Sequence, residues 1–413
     1  MDRDHGMIRQ VIRLRAVAVA VLGSTAACTG GGHDSVPSST RSPVTTPAPA
    51  VRALTKAWTV STGPLWSPAV PTFPRTWSTP TSVVVPGTRA LTSYSSRTGA
   101  QQWNRTLPQN VCAISGTPNA DGVAAVLLGR DTTGVGDDAC SVAAAVNLHT
   151  GALLWTTAIK GRSGYGFIDV AIGPKAVVVS NPCDTALTLS VRDGSRLAKL
   201  APHAGRGSCL DSFASNGTLV VDGTRLGDHD AFVGYDAVSG RTLWTVPITQ
   251  PGSGKTPAVH RVLSADPVVL DAAVDDHRFL RIVDPRAGTQ RPFGHEGDND
   301  ERSQLLAVVG SRIAAQYGQS ETLFTYDLHS GAELHHVGLV GNEVSVGLRG
   351  SDVVTAEYAG SNDDVVVRAT DVASGRPRTL GTFPGVPGDV FEVSGGLLVS
   401  GDDGRLTAFR LPT

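Results

Sequence analysis

The chain has 413 residues, 40% of them hydrophobic and 5% aromatic, with 47 glycines and a formal net charge of −2. That length admits a few ordinary domains or one large repeat array. The near-neutral balance, with no long basic run or basic–aromatic stripe, excludes generic nucleic-acid binding, which needs a clustered positive surface.

Residues 1–27 read as an export signal. Arg9, Arg13 and Arg15 precede a short apolar core over Ala16–Gly23, too short for a comfortable membrane span, followed by small residues. The tetrapeptide Thr25–Cys28, TAAC, resembles a bacterial lipobox, whose Cys is acylated and becomes the mature N-terminus. Thr25 stands where that motif usually has Leu, so cleavage after Ala27 with plain secretion is the alternative. Residues 28–54 are dominated by Gly, Ser, Thr and Pro and have almost nothing to bury, which predicts a disordered tether. The expected location is therefore extracytoplasmic, with a lipid on Cys28 holding a monomer at a membrane.

Beyond Cys28 the cysteines are Cys112, Cys140, Cys183 and Cys209. An even number in an exported chain points to two disulfides, and three connectivities are open. No C-x-x-C spacing supports zinc.

From residue 55 onward, short Val/Ala/Leu-rich runs between Gly, Pro, Asn and Asp predict many short strands. One frame recurs: YSSRTGAQQW ending at Trp103, VNLHTGALLW ending at Trp155, and YDAVSGRTLW ending at Trp244. Its glycines are Gly99, Gly151 and Gly240, and weaker copies centre on Gly194, Gly288, Gly331 and Gly375. Successive glycines lie 43 to 52 residues apart, the range of a propeller with four strands to a blade. Asp236, Asp284, Asp327 and Asp371, four residues before the glycine, are placed to accept hydrogen bonds from turn N–H groups. Glycine supplies the positive φ of the hairpin. Four residues later a Trp offers a flat surface to cover the seam between blades; Ala198, Pro292, His335 and Thr379 fill that slot in the weaker copies.

Leu397–Leu411 is a half copy that stops before a turn glycine, and Lys56–Thr62, KAWTVST, matches the strand that would follow one. The strand around Trp58 is therefore expected to complete the last blade. Trp58 and seven hairpins predict an all-β, eight-bladed propeller of four-stranded antiparallel blades over residues 55–413, closed by an N-terminal strand. Seven blades is the alternative if one weak copy is a loop.

The frame A-x-D-x-x-[ST]-G-x-x-x-W, with small Ala145, Ala369 and Ala408 in its first slot, resembles the repeat of quinoprotein-like (PQQ-type) β-propellers over residues 55–411. That resemblance implies a blade-docking role for Trp58, Gly99, Trp103, Gly151, Trp155, Asp236, Gly240, Trp244, Asp327, Gly331, Asp371 and Gly375. It also implies a strand topology in which the connection between a blade's second and third strands shares a face with the start of its first strand. On that topology the expected pairs are Cys112–Cys140 and Cys183–Cys209.

The family contains enzymes, but their adjacent Cys pair and C-x-x-C-H haem motif are both missing, so no catalytic or cofactor-binding residue is assigned. PQQ with calcium is the alternative to having no cofactor. PGSGKT, Pro251–Thr256, lacks the first glycine of a phosphate loop and precedes a strand-like segment. The acidic stretches Gly294–Arg302, Gly227–Asp230 and Ser361–Asp364 read as polar loops, without the calcium-loop pattern. Adjacent His335 and His336 would face opposite sides of a strand and share no metal. The expected function is a non-catalytic protein-binding scaffold, as the resemblance to propeller lipoproteins of the outer-membrane β-barrel assembly machinery and to propeller sensor domains of receptor kinases implies. A PQQ-dependent dehydrogenase and a binder of small ligands or glycans in the central funnel are the alternatives.

Overall fold

In the computed structural model the chain divides into Met1–Pro49 and Ala50–Thr413. The structure describes residues 52–62, 76–130, 140–160, 169–181, 185–200, 213–226, 229–248, 258–274, 277–297, 303–317, 322–338, 344–358, 364–384, 390–394, 396–402 and 404–412. The lipobox, most of the tether, PGSGKT, Cys183 and Cys209 lie outside them.

Thirty-two strands form eight four-stranded antiparallel sheets, with no helix among the described residues. The sheets are the blades of a propeller. Blades 1 to 7 each take four consecutive strands: blade 1 spans Trp77–Thr106, blade 2 Asn110–Ala158, blade 3 Asp169–Leu200 and blade 4 Phe213–Pro247. Blade 5 spans Ala258–Gly297, blade 6 Ser303–Gly338 and blade 7 Val344–Pro384. Blade 8 takes three strands from Val390–Arg410 and its outermost from the other end of the chain, β1 (Thr55–Ser61). There Trp58 lies opposite Ala408. The ring closes as the split repeat predicts.

The core is distributed among the seams between blades. Eight clusters of buried side chains each join two neighbouring blades, from the one uniting Trp58 and Val399 with Val83 and Tyr94 to the one uniting Val367 and Phe383 with Leu398 and Phe409. The second strand of each blade is buried on both faces, which explains its unbroken apolar runs. In β3 (Ser82–Gly87), Val83 and Val85 enter the seam with blade 8 and Val84 the seam with blade 2. At roughly 25 cal/mol per Å² of apolar surface removed from water, these seams are the main favourable term of the fold.

The outermost strands share an irregularity. In blades 1, 2, 3, 4, 6 and 8 the ladder slips by one residue just before the Trp slot. This β-bulge twists the strand. The bulged leucines at 154, 197, 243 and 334 are exposed. Blades 5 and 7 instead slip further along their outer strands. In blade 7 that strand, β29 (Pro377–Pro384), is itself overlaid by the residues leading into β1. Ala53 bridges Thr382 in parallel, Leu54 N–H donates to Thr382 O at 2.7 Å, and Thr382 N–H donates to Arg52 O at 3.1 Å. The arm from Arg52 to Ser61 thus touches blades 7, 8 and 1.

Candidate binding face

Antiparallel blades put the turns inside the first and second hairpins on one face of the ring and all other connections on the opposite face. On the first face the turns are short, and only 115–122 exceeds five residues. On the opposite face lie the strand ends that border the longest stretches between strands, residues 62–76, 130–141, 159–168, 201–212 and 248–257. All of these flank blades 1 to 5, so length variation is concentrated on one half of one face. Connections of this kind, presented by a rigid scaffold, are where binding residues concentrate.

One of them is fastened. Cys112, in the innermost strand β6 (Asn110–Ile114), forms a disulfide with Cys140, at the end of the 130–141 connection, with Cα atoms 5.7 Å apart. The ladder bulges between Val111 and Ala113, at Cys112. Cys140 is the one described non-glycine residue with positive φ, +48°. A β-carbon in that conformation is strained, and the crosslink holds it there.

The hairpin turns of the repeat lie on the other face. Asp236 Oδ1 accepts from the Ser239 N–H and hydroxyl, each at 2.7 Å. Asp327 and Asp371 repeat this with Ser330 and Ser374, and Asp284 accepts from the N–H groups of Arg286 and Ala287. In blade 2, Asn147 Oδ1 does the same for His149 and Thr150 without a charge. Donation by backbone and hydroxyl favours the ionised form. The Ser239 N–H and hydroxyl hold Asp236 below the usual carboxylate range, and turn donors do likewise for Asp284, Asp327 and Asp371. Asp193 is also held low, first by the Ser195 hydroxyl. These residues shape turns.

In blades 8, 1, 2, 3 and 6 the slot residue of the outermost strand meets the turn of the next blade. A β-carbon added to Gly99 would fall 2.8 Å from Trp58 Cδ2; one on Gly151 would fall 2.6 Å from Trp103 Cε3. Trp155 lies against Gly194 in the same way. Each indole N–H also donates to the carbonyl three residues before that glycine: Ser96 at 3.0 Å, Leu148 at 3.2 Å and Val191 at 2.8 Å. Ala198 sits against Gly240. His335 replaces an indole outright, packing on Gly375 with Nε2 3.1 Å from Ala373 O. The spacing of four from Gly331 was the signal for that role. His336, on the other side of the strand, pairs with Glu333 at 2.9 Å. Trp244 departs from the pattern: it packs into the seam of blades 4 and 5, but Gly288 has open space around it.

Three acidic residues, Asp222 in blade 4, Asp271 in blade 5 and Glu357 in blade 7, are buried inside the ring. Glu357, fully buried in blade 7, accepts the Thr355 hydroxyl at 2.7 Å and faces Arg368 at 4.0 Å. Asp271 in blade 5 pairs with Arg261 at 3.0 Å. The T-x-E and R/D registers put the partners on one face of their strands; the burial comes from the neighbouring blade. Among the described residues no three His, Cys, Asp or Glu side chains come together to hold a metal. The acidic stretches fall partly in strands: Gly294–Gly297 continues β21 (Thr289–Gly297), His229 and Asp230 open β16 (His229–Asp236), and Asp364 opens β28 (Asp364–Asp371). The ladder with their partner strands extends further than the polar residues suggest.

The model of one protein family, outer membrane protein assembly factor BamB, matches residues 138–413. Among solved structures, BamB from Moraxella catarrhalis is similar at 14% identity and a TM-score of 0.53, over 87% of this chain and 100% of that one. The computationally designed Ika8 protein aligns at 16% identity and a TM-score of 0.56, over 87% and 99% of the two chains. Sqt1 from Saccharomyces cerevisiae aligns at 12% identity and a TM-score of 0.56, over 88% and 100%. At such identities the likeness is one of fold. No curated protein matches the sequence.

Proposed function

The chain belongs to the family of outer membrane protein assembly factor BamB, and we propose that it is a non-catalytic scaffold that binds proteins outside the cytoplasmic membrane, held there by a lipid on Cys28. The observation that carries this reading is one face of a rigid ring, the loop face: the strand ends joined by the longest stretches of sequence are gathered on one half of it, and the Cys112–Cys140 disulfide crosslinks one of those ends. A disulfide suits an oxidising, extracytoplasmic compartment. Two of the three buried acids, Glu357 and Asp271, are engaged by Thr355 and Arg261, which suits structure better than proton transfer.

The test is site-specific photo-crosslinking in the native cell. A photoreactive residue at Arg130 or Ser141, on the loop face, should give a discrete protein adduct, and one at Thr98 or Thr150, on the turn face, should not. Equal labelling from both faces, or none from the loop face, would reject the reading. Retention of PQQ and calcium by the purified protein, with dye reduction by alcohols or sugars, would make it an enzyme instead. Cys28→Ala should release the protein from membranes; unchanged association would remove the anchor.

A further inference from the structure

Closing the ring gathers charges that lie far apart in the sequence. On the turn face of blades 2 to 6, the turns and the two residues on either side of each hold six Lys or Arg against seven Asp or Glu. Blades 7, 8 and 1 differ. Their turn-face strand ends carry Arg349, Arg376 and Arg378 from blade 7, Arg410 and Lys56 from blade 8, and Arg97 from blade 1, against Asp352 and Asp371. Arg52, on the arm that crosses β29, adds a seventh cation. A chain of net charge −2 thus places an excess of five positive side chains on one sector.

The contacts that close the ring bring these cations side by side. At the start of β1, Thr55 lies opposite Arg410 and Lys56 opposite Phe409. Trp58, two residues on, donates to the carbonyl of Ser96, next to Arg97. Arg349 Nη1 donates to Pro412 O at 2.7 Å, which ties the blade 7 turn to the chain just beyond Arg410. Both carboxylates are engaged locally, Asp352 by Arg378 and Asp371 by the N–H and hydroxyl of Ser374. Arg52, Lys56, Arg97, Arg376 and Arg410 are exposed, and among the described residues they form no ion pair. Like charges held together repel one another and raise the local potential, which an anionic surface relieves.

We propose that this sector rests on the anionic phospholipid headgroups of a membrane, with the turn face toward the bilayer and the loop face turned away from it, toward protein partners. Two observations select a membrane as the occupant. The charge is complementary to its headgroups, and the arm is the part of the ring nearest in sequence to Cys28, with Arg52 24 positions beyond it. The inference rests on the lipid anchor of the proposed function for its setting. An acyl anchor and a basic patch reinforce each other. The patch alone, screened within about 10 Å at 0.1 M salt, orients a protein that the acyl group holds.

The test uses the full chain with Cys28→Ala, so that no acyl group contributes, and vesicle flotation at low salt. The protein should float with vesicles of phosphatidylcholine mixed with phosphatidylglycerol and not with phosphatidylcholine alone, and added salt should release it. Lys56→Gln and Arg97→Gln should each weaken binding by about 5-fold, the worth of one cation at such a surface. Arg241→Gln, an exposed change in the blade 4 turn, should leave binding intact. On the mixed vesicles a fluorophore at Thr98 should be quenched by a headgroup spin label more strongly than one at Ser141. Equal flotation with both vesicles, insensitivity to Lys56→Gln and Arg97→Gln, or equal quenching at the two sites overturns the proposal. Flotation with neither vesicle would leave the patch to an acidic protein and overturn it as well. These results are independent of the acyl anchor, whose own failure is read from membrane release in the cell.

Discussion

Replacing one glycine in each of two blades with alanine separates the cost of the turn from the cost of the seam. Gly99 and Gly288 occupy the same repeat position at φ +73° and +64°. An alanine at either costs about 1–2 kcal/mol for a β-carbon in the left-handed region, offset by about 0.4–1 kcal/mol from the stiffer unfolded chain. Both effects cancel between the two variants. What differs is the neighbour. At Gly99 the new carbon would lie 2.8, 2.9 and 3.0 Å from three indole carbons of Trp58, a ring 7% exposed and fixed by its bond to Ser96 O. At Gly288 it meets nothing. Forcing a methyl into a packed site costs about 1–3 kcal/mol, so Gly99→Ala should be less stable than Gly288→Ala by about that amount. Gly151→Ala should resemble Gly99→Ala. Urea unfolding followed by circular dichroism gives the midpoints, and equal midpoints for Gly99→Ala and Gly288→Ala would refute the seam argument. In a Trp58→Ala background the excess cost at Gly99 should vanish.

Removing the crosslink with Cys112→Ser and Cys140→Ser frees a loop closed over a sequence separation of 28 and should cost about 3.5 kcal/mol by the loop-entropy relation; denaturation with and without reductant measures it, and an unchanged midpoint would contradict it. The turn carboxylates of Asp193, Asp236, Asp284, Asp327 and Asp371 titrate below the ordinary value in the folded chain. Their contribution is present above the unfolded pKa of about 4 and is lost as pH falls through the folded values. Asp327→Asn keeps the acceptor, as Asn147 does, and should flatten the fall in stability below about pH 4; an unaltered slope would show that the charge is immaterial. Deleting residues 1–54 should cost less than deleting residues 1–61, which removes Trp58 and leaves blade 8 with three strands; identical melting of the two truncations would rule out closure by β1. Glu357→Ala should cost about 1–3 kcal/mol, because it leaves the buried Thr355 hydroxyl without its acceptor, and thermal melting would read it.

The ring was legible because each hairpin writes its own turn, with a glycine that needs positive φ and an acceptor four residues earlier, and because three of them add a Trp four residues later. Trp58 was legible as the closing strand because the last copy is incomplete by the piece that KAWTVST supplies. Less was legible where structure depends on the neighbouring blade. Nothing local to T-x-E shows that Glu357 will be sealed by blade 6. The standing-off of the blade 5 turn from Trp244 is a matter of register, and the sequence shows it only in Pro285, which follows the turn acid. His335 was readable by spacing alone, since imidazole shares with indole a flat face and a ring nitrogen. The long connections could be counted from the sequence, but their gathering on one half of one face follows from strand direction and order around the ring.

Every blade ends in a strand that its own sheet leaves unpaired on one side, and such an edge is a template for another chain. In six blades the bulge before the Trp slot bends the edge out of the geometry that a straight partner would need. In blade 5 that stretch contains Pro292, which has no N–H to offer. Blade 7 has its late bulge, and its edge at Thr382 is already taken by Arg52–Leu54. The arm that closes the ring is therefore also a guard against aggregation. Its loss would bare β29 in the same step that opens blade 8, and an open ring with two exposed edges has the means to join its neighbours edge to edge into insoluble chains.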